Sequence, residues 1–352
     1  MKLTTILTTA MLLLGGTAAE ACTSMVVSAR ASATGRPMLW KHRDSSGDMN
    51  FVERTPAGEG THGYCALYNG GDSLLADAWA GVNDQGFAIM NTASYNLAPD
   101  TARLRDREGA VMTLALRSCA SVDDFQRILD SLPRPMGVQA NFGVIDALGG
   151  AAYFETSDHG FVRYDANNTP DGVLIRTNFS VSGDDDKGMG YIRYENARRL
   201  SEEAVKSGKI TPELFTERLS RSFVHSLLQV DCASESYSPR WVVDQDFIPR
   251  RSSVASVVID GQTMWTVIGY PPVGHVVPAT PQHVPDELRP ILPSHTSPAA
   301  AEADSLRRLV FPIERGSGQH YIDMQALRPI MARQHAHSIE TYNRFYNKNK
   351  DK

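Results

Sequence analysis

Short segments of strand character dominate the first hundred residues. They lie at 24–28, 37–41, 66–68, 78–82 and 87–91, punctuated by Thr34-Gly35, Asn69-Gly70-Gly71 and Asp84-Gln85-Gly86, a pattern that predicts hairpins. Helical spacing follows over 107–132, where Ser121 before Val122-Asp123-Asp124 marks the N-cap of a second helix. Strands are predicted again at 142–145, 151–155, 161–164 and 173–176, then a helix over 191–207 and another that opens on Thr211-Pro212-Glu213, with threonine as cap and proline in the first turn. Two further strands, 253–259 and 264–268, flank Asp260-Gly261. Residues 271–298 are rich in proline and predict extended chain across a surface or a linker, and 321–346 has helical spacing interrupted by Pro329. The order strands, helices, strands, helices, strands predicts two antiparallel sheets covered by helices, an α+β layered fold.

The N-terminus changes the picture of where the working chain begins. Met1-Lys2 precedes an apolar run over 3–14 that closes on Gly15-Gly16-Thr17-Ala18-Ala19-Glu20-Ala21. This pattern predicts a secretory signal peptide, its apolar part too short for a membrane span. Ala19 and Ala21 stand at the two positions a signal peptidase reads, so cleavage is expected before Cys22 and the product is expected to be secreted or periplasmic, with no transmembrane segment. The chain divides on this basis into a signal peptide (1–21), a main domain (22–278) and a proline-rich segment with a helical extension (279–352).

With 352 residues, 42% apolar and 21% charged, the chain has the composition of a soluble globular protein with a sizeable core. Its net charge of -5 comes from acids and bases mixed along the sequence, which argues against nucleic acid or an anionic membrane as partner. The four cysteines, Cys22, Cys65, Cys119 and Cys232, are too few for a disulfide-built scaffold and contain no CxxC pair, which argues against a cysteine metal site. His42, His335 and His337 have no metal-ligand spacing, and Asp184-Asp185-Asp186 reads as a solvated loop. No metal or organic cofactor is expected, and a homo-oligomer is compatible with the sequence.

Cys22 is the residue on which chemistry concentrates. A thiol needs a base within hydrogen-bond reach, and an N-terminal cysteine carries one in its own α-amino group, whose reference pKa of roughly 7.7–8.0 lies below the thiol's of about 8.5. For a hairpin centred on Ala33-Thr34-Gly35, residue 22 lies across from about residue 44, which places Asp44 opposite Cys22 to hold and orient the amine. Lys41 and Arg43, near the same point, can raise the thiolate fraction or bind an anionic group of a substrate.

These residues resemble the N-terminal nucleophile hydrolases of the choloylglycine hydrolase and penicillin V acylase group and their acyl-coenzyme A:isopenicillin N acyltransferase relatives. The resemblance runs from Cys22 to about Pro278 and is most specific at its start. There Cys22-Thr23 is followed by Lys41-His42-Arg43-Asp44, similar to the group's Arg-Asn-x-Asp with lysine in the arginine position. Gly81-Val82-Asn83-Asp84-Gln85-Gly86-Phe87-Ala88-Ile89-Met90-Asn91 resembles its Gly-x-Asn-x-x-Gly strand pair, which implies Asn91 as oxyanion donor. Thr177-Asn178-Phe179 resembles the segment whose asparagine sits beside the nucleophile, and Tyr191-Ile192-Arg193-Tyr194 the helix start whose arginine lines the site. Ser252-Ser253-Val254 and the stretch from Trp265 to Pro271 echo later strands. The resemblance implies a four-layer αββα sandwich, a small-molecule amide as partner, and hydrolysis of its linear carbon-nitrogen amide bond through a thioester on Cys22. Acyl transfer from the same thioester, and a lipid-anchored binding protein without catalysis, are the alternatives. A papain-like pairing of cysteine with His42 is the weaker enzyme reading.

Overall fold

A computed structural model describes residues 21–47, 49–97, 106–234, 237, 239–291, 295–314 and 320–350. The expected signal peptide falls outside them except for Ala21. Two large antiparallel sheets form the centre. The first has six strands in the spatial order Val173–Arg176, Thr23–Val27, Met38–Asp44, Ser253–Asp260, Thr263–Ile268 and Val277–Ala279. The second is a seven-stranded meander in chain order, from Asn50–Thr55 through Tyr64–Asn69, Ala80–Asn83, Ala88–Ala93, Ala140–Ile145 and Ala151–Thr156 to Phe161–Asp165.

The alternation of side chains along each strand generates the layers. Val26, Leu39, Val257 and Ile259 of the first sheet pack against Val52, Leu67, Val82 and Met90 of the second in one core. The alternate residues of the second sheet, among them Ile89, Phe142 and Phe154, meet the helices Glu108–Ser118 and Val122–Ser131. Those of the first sheet, Met25, Trp40, Val258 and Trp265, meet Ala197 of the helix Tyr191–Ser207, the turn at Leu214–Arg221 and the C-terminal helix Met324–Lys350. The molecule is therefore an αββα sandwich of class α+β, as expected from the sequence. Because both faces of each sheet are covered, Thr23–Val27 and Met38–Asp44 are buried at every position.

Several local expectations hold. Ser121 caps the second helix, its side chain accepting from Asp124 N–H while the Asp124 carboxylate accepts from Ser121 N–H, a reciprocal capping box. Gly86, with φ of +81°, turns the hairpin as only glycine does at no cost, and Asn83 Oδ1 accepts from the N–H groups of Gln85 and Phe87 there. The helix expected at 211 is an irregular one instead, with a five-residue π-turn over Leu214–Arg218 running into a 3₁₀ turn over Leu219–Arg221.

The proline-rich stretch is not a linker. Val277–Ala279 pairs with Thr263–Ile268, and Val284 and Leu288 belong to the core between the sheets. The division at 278/279 thus falls inside a strand. Residues 320–323 extend as a strand before the last helix begins at Met324, so the helical spacing starts three residues later than the sequence suggests. Pro298–Val310 is a further helix with Ser297 as N-cap and proline in its first turn, a signal present in the sequence.

The last helix acts as a lid on the first sheet. The Tyr342 ring lies 4.4 Å from that of Trp265, and its hydroxyl is 2.9 Å from Thr216 Oγ1. Replacing Tyr342 by alanine removes a buried ring and its hydroxyl's bond to Thr216, which keeps only its bond to the Pro212 carbonyl. A loss of about 3–5 kcal/mol is expected from such a truncation, to be read from the midpoint of urea denaturation.

Candidate active site

Cys22 stands at the head of Thr23–Val27, the second strand of the first sheet, which pairs with Met38–Asp44. The register of the hairpin is Thr23 to His42 and Ser24 to Lys41, so continuing it sets Arg43, not Asp44, opposite Cys22. The turn arithmetic misses by one residue because the chain coils into a 3₁₀ turn at Ala29–Ala31 before reversing. A slip of one carries the side chain to the other face of the sheet. Asp44 nevertheless lies close enough to Cys22 to act on its thiol by charge and through its backbone.

By register, Lys41 and Arg43 share the Cys22 face of the sheet. Lys41 is buried and donates to the Trp79 carbonyl at 2.8 Å and to Asn91 Oδ1 at 2.5 Å. Arg43 is equally buried, bonded to Asn50 Oδ1 at 2.9 Å, with its guanidinium over the Trp79 ring. Burial pushes the Cys22 thiol up from its ordinary value; the charge of Lys41 pulls it back down, Asp44 pushes it up, and the Asp44 N–H and Arg43 pull it down.

The opposite face carries a second set. Cys22 N donates to Asn178 Oδ1 at 3.0 Å, and Asn178 Nδ2 donates to the Ala93 carbonyl at 3.0 Å. Arg193, in the first turn of Tyr191–Ser207, donates to the Cys22 carbonyl at 2.5 Å, to Thr23 Oγ1 at 3.0 Å and to Asn178 Oδ1 at 2.7 Å. Gly190, with φ of +85°, starts that helix; a Cβ there would collide with Arg193 Nη2, so the glycine makes room for the guanidinium. Arg193 is held below its ordinary value, to about 10, by burial and by the like charge of Arg250, with Asp44 opposing. It remains a cation at neutral pH.

Asp44 points to this same face, where Arg250 and Ser253 donate to its carboxylate. A bulge sets this up. Ser253 pairs with Asp44, whereas Ala255 pairs with Arg43, so one extra residue at 254 re-aims the end of the strand. Neither Arg250 nor the ion pair is legible from the sequence, because residue 250 lies 206 positions from Asp44 and precedes its strand by three residues.

The expected oxyanion donor, Asn91, makes its side-chain bonds to Lys41 and Glu108. Its strand sets it on the helix-facing side with Ile89, its Nδ2 donates to the buried Glu108 carboxylate, and among the described residues no hydrogen bond joins it to Cys22. It reaches the site through Lys41. Cys22, Asp44, Asn178, Arg193, Lys41 and Arg43 are thus brought together, and Asn91 and Glu108 stand behind Lys41.

His42 is not placed to serve Cys22. It lies on the Asp44 face and its Nε2 is 2.9 Å from Ser253 Oγ. Burial drives its pKa down to about 4, against an upward pull from Asp44. Between about pH 6.5 and 4 the unfolded chain therefore takes up a proton that the folded chain refuses, and stability attributable to His42 falls as pH falls through that window. The difference in unfolding free energy between wild type and His42→Gln is expected to shrink by about 3 kcal/mol from about pH 7 to about pH 4, measured by denaturant titration. Asp244, pushed up to about 7 by burial, acts in the opposite sense over part of this range, which is why the difference between the two proteins is the quantity to follow. Activity at neutral pH is expected to survive the substitution.

All four cysteines are free and buried. Among the described residues no group of three or more His, Cys, Asp or Glu side chains is arranged to hold a metal ion, and no helix is long and apolar enough to cross a membrane.

No family model matches the chain, and no curated protein does. Solved structures do. The chain is similar to the Caenorhabditis elegans ortholog of N-acylethanolamine-hydrolyzing acid amidase, with 15% identity over 68% of this chain and 92% of that one and a TM-score of 0.45. It is similar to a mutant of the conjugated bile acid hydrolase from Clostridium perfringens, with 10% identity over 74% of this chain and 92% of that one and a TM-score of 0.47. The penicillin V acylase of Agrobacterium tumefaciens gives 14% identity, 74% and 86% coverage and a TM-score of 0.41.

Proposed function

We propose that the chain hydrolyses a linear carbon-nitrogen amide bond with Cys22 as nucleophile, after removal of residues 1–21 in the course of export to the periplasm or the medium. The observation that carries this reading is the treatment of the Cys22 backbone. Its nitrogen and its carbonyl each have a dedicated buried partner, in Asn178 and Arg193. A structural cysteine needs its side chain packed; nothing in packing asks for a buried arginine on its carbonyl and a buried asparagine on its nitrogen.

In the processed chain the nitrogen is an amine with a proton-free form available near neutral pH. The amine takes the thiol proton as sulfur adds to the substrate carbonyl. Lys41 and Arg43, on the same face, supply a positive environment for the oxyanion that forms, fixed in place before reaction by Trp79, Asn91 and Asn50. The tetrahedral intermediate expels the substrate's amine, which leaves with the proton from the Cys22 ammonium. Water, deprotonated by the same amino group, then cleaves the thioester, releasing the acid and restoring the thiol.

Mass spectrometry of the N-terminal peptide of the exported protein after thiol alkylation tests the premise. A free amine on an alkylated Cys22 is expected. A diacylglyceryl group there, or a start at another residue, removes the base and makes this a lipid-anchored binding protein. Product analysis with and without added amine then separates hydrolysis from acyl transfer.

A further inference from the structure

The strand Val173–Arg176 pairs with the nucleophile's strand only as far as Arg176, opposite Ser24. Continued by two residues, that register sets Asn178 across from Cys22, where Asn178 Oδ1 takes the Cys22 N–H. By then the segment has left the ladder, and Asn141 holds it from the second sheet. The strand neighbours Ala140 and Phe142 face the helices, so by alternation Asn141 faces the first sheet. Its Nδ2 donates to the carbonyls of Thr177 at 3.3 Å and Phe179 at 3.1 Å, one on each side of Asn178, and its Oδ1 accepts from Ser180 Oγ at 2.6 Å. Carbonyls only accept, so the amide can face them with its nitrogen alone. The remaining contact runs from Nδ2 to Oγ1 of Thr92, its partner on the adjacent strand, at 3.0 Å. Asn178 Nδ2 in turn donates to the carbonyl of Ala93, the residue after Thr92. Asn141, Thr92, Thr177 and Asn178 are all shut off from solvent.

We propose that Asn141 is a positioning residue for the amine of Cys22: it fixes the backbone on both sides of Asn178, and with it the direction from which Asn178 Oδ1 holds the nitrogen of the nucleophile. The inference rests on Cys22 being the nucleophile. With the nitrogen tied to Asn178 and the carbonyl tied to Arg193, the amine keeps one orientation relative to its own sulfur. Asn141 sets the first of these ties by gripping the two carbonyls that flank Asn178 rather than Asn178 itself, which leaves that side chain to Cys22 and Ala93. Other holds keep the segment docked without Asn141. The Asn178 carbonyl accepts from the N–H groups of Tyr95 and Met189, Asn96 exchanges hydrogen bonds with the Ser180 backbone, and the Glu155 carboxylate accepts from the N–H groups of Val181 and Ser182. Removing the Asn141 side chain therefore leaves the segment in place and loosens its setting at Asn178.

The test is the burst of p-nitrophenolate from p-nitrophenyl acetate on the processed protein. The thiol proton goes to the amine, the sulfur takes the acetyl group and p-nitrophenolate leaves, so the burst reads acylation whatever the natural amide; Cys22→Ala supplies the blank. Asn141→Ala is expected to lower the maximal acylation rate by about 10- to 30-fold, with the ester concentration at half-maximal rate unchanged within about twofold, since an orienting role falls on the step and not on binding. Asn178→Ala is expected to lose at least as much. The double variant Asn141→Ala/Asn178→Ala is expected to be no slower than Asn178→Ala, because both substitutions remove the same function, whereas independent effects multiply. A folded Asn141→Ala protein with the wild-type rate, or a double variant slowed by the product of the two single losses, overturns the positioning role and leaves the nucleophile assignment standing. Where Asn141→Ala does not fold, Ser180→Ala, which removes the bond to Asn141 Oδ1, is read in its place: a rate about threefold lower is expected, and a wild-type rate overturns the role. A wild-type burst no larger than that of Cys22→Ala overturns both the positioning role and the nucleophile.

Discussion

Cys22→Ala in the processed protein is expected to abolish amide turnover, a loss of at least about 10⁴-fold, because no other group in the site can form the acyl-enzyme. The fold should survive. Alanine keeps the backbone contacts with Asn178 and Arg193, and what is lost is one sulfur at the end of a strand. Circular dichroism unchanged within error, with turnover at background, is the expected pair of results. Residual activity above about a hundredth of wild type would mean that the chemistry belongs to another residue.

Arg193→Met is expected to have the second largest effect. Methionine fills part of the volume of the buried arginine but leaves two acceptors, the Cys22 carbonyl and Thr23 Oγ1, without the arginine donor, and removes one of the two donors to Asn178 Oδ1. Unsatisfied buried acceptors cost about 1–3 kcal/mol each. Part of this falls on stability, and the part that loosens the nitrogen of Cys22 falls on the reaction. A drop in kcat of about 10²- to 10⁴-fold is expected, with KM changed far less, since Arg193 acts on the nucleophile's backbone. A loss confined to KM would instead make Arg193 a substrate ligand.

How much of this can be read from the sequence follows the range of the interaction responsible. Ser121 with Asp124, and Gly86 with Asn83, are local devices whose partners lie within four residues, and they are legible as written. The strands that alternate clearly are legible too. Asn50–Thr55 escapes detection because Glu53 and Arg54 interrupt its apolar run, and Val277–Ala279 because Pro278 reads as a breaker although a sheet edge tolerates it. Hairpin counting brings Asp44 within one residue of its position, but a 3₁₀ turn has no length signature, so the count puts its side chain on the wrong face. Arg250 comes to Asp44 by a bulge and a long crossover, and no local pattern encodes that approach. Asn91 shows the reverse case: a motif match places it near the site, while the parity of its strand turns its side chain to Glu108.

Ala21 and Cys22 are each only 5% exposed in the folded chain. A peptidase must draw several residues of backbone into an extended groove, which a buried bond at the head of a finished strand does not permit. Under the proposed maturation, cutting therefore has to come before folding, as it does when a chain is threaded unfolded through a translocation pore and trimmed on emergence. A molecule that folds first, on the wrong side of the membrane, is left with a peptide nitrogen where the base should be. It is latent, and compartment and chemical competence are set by one event.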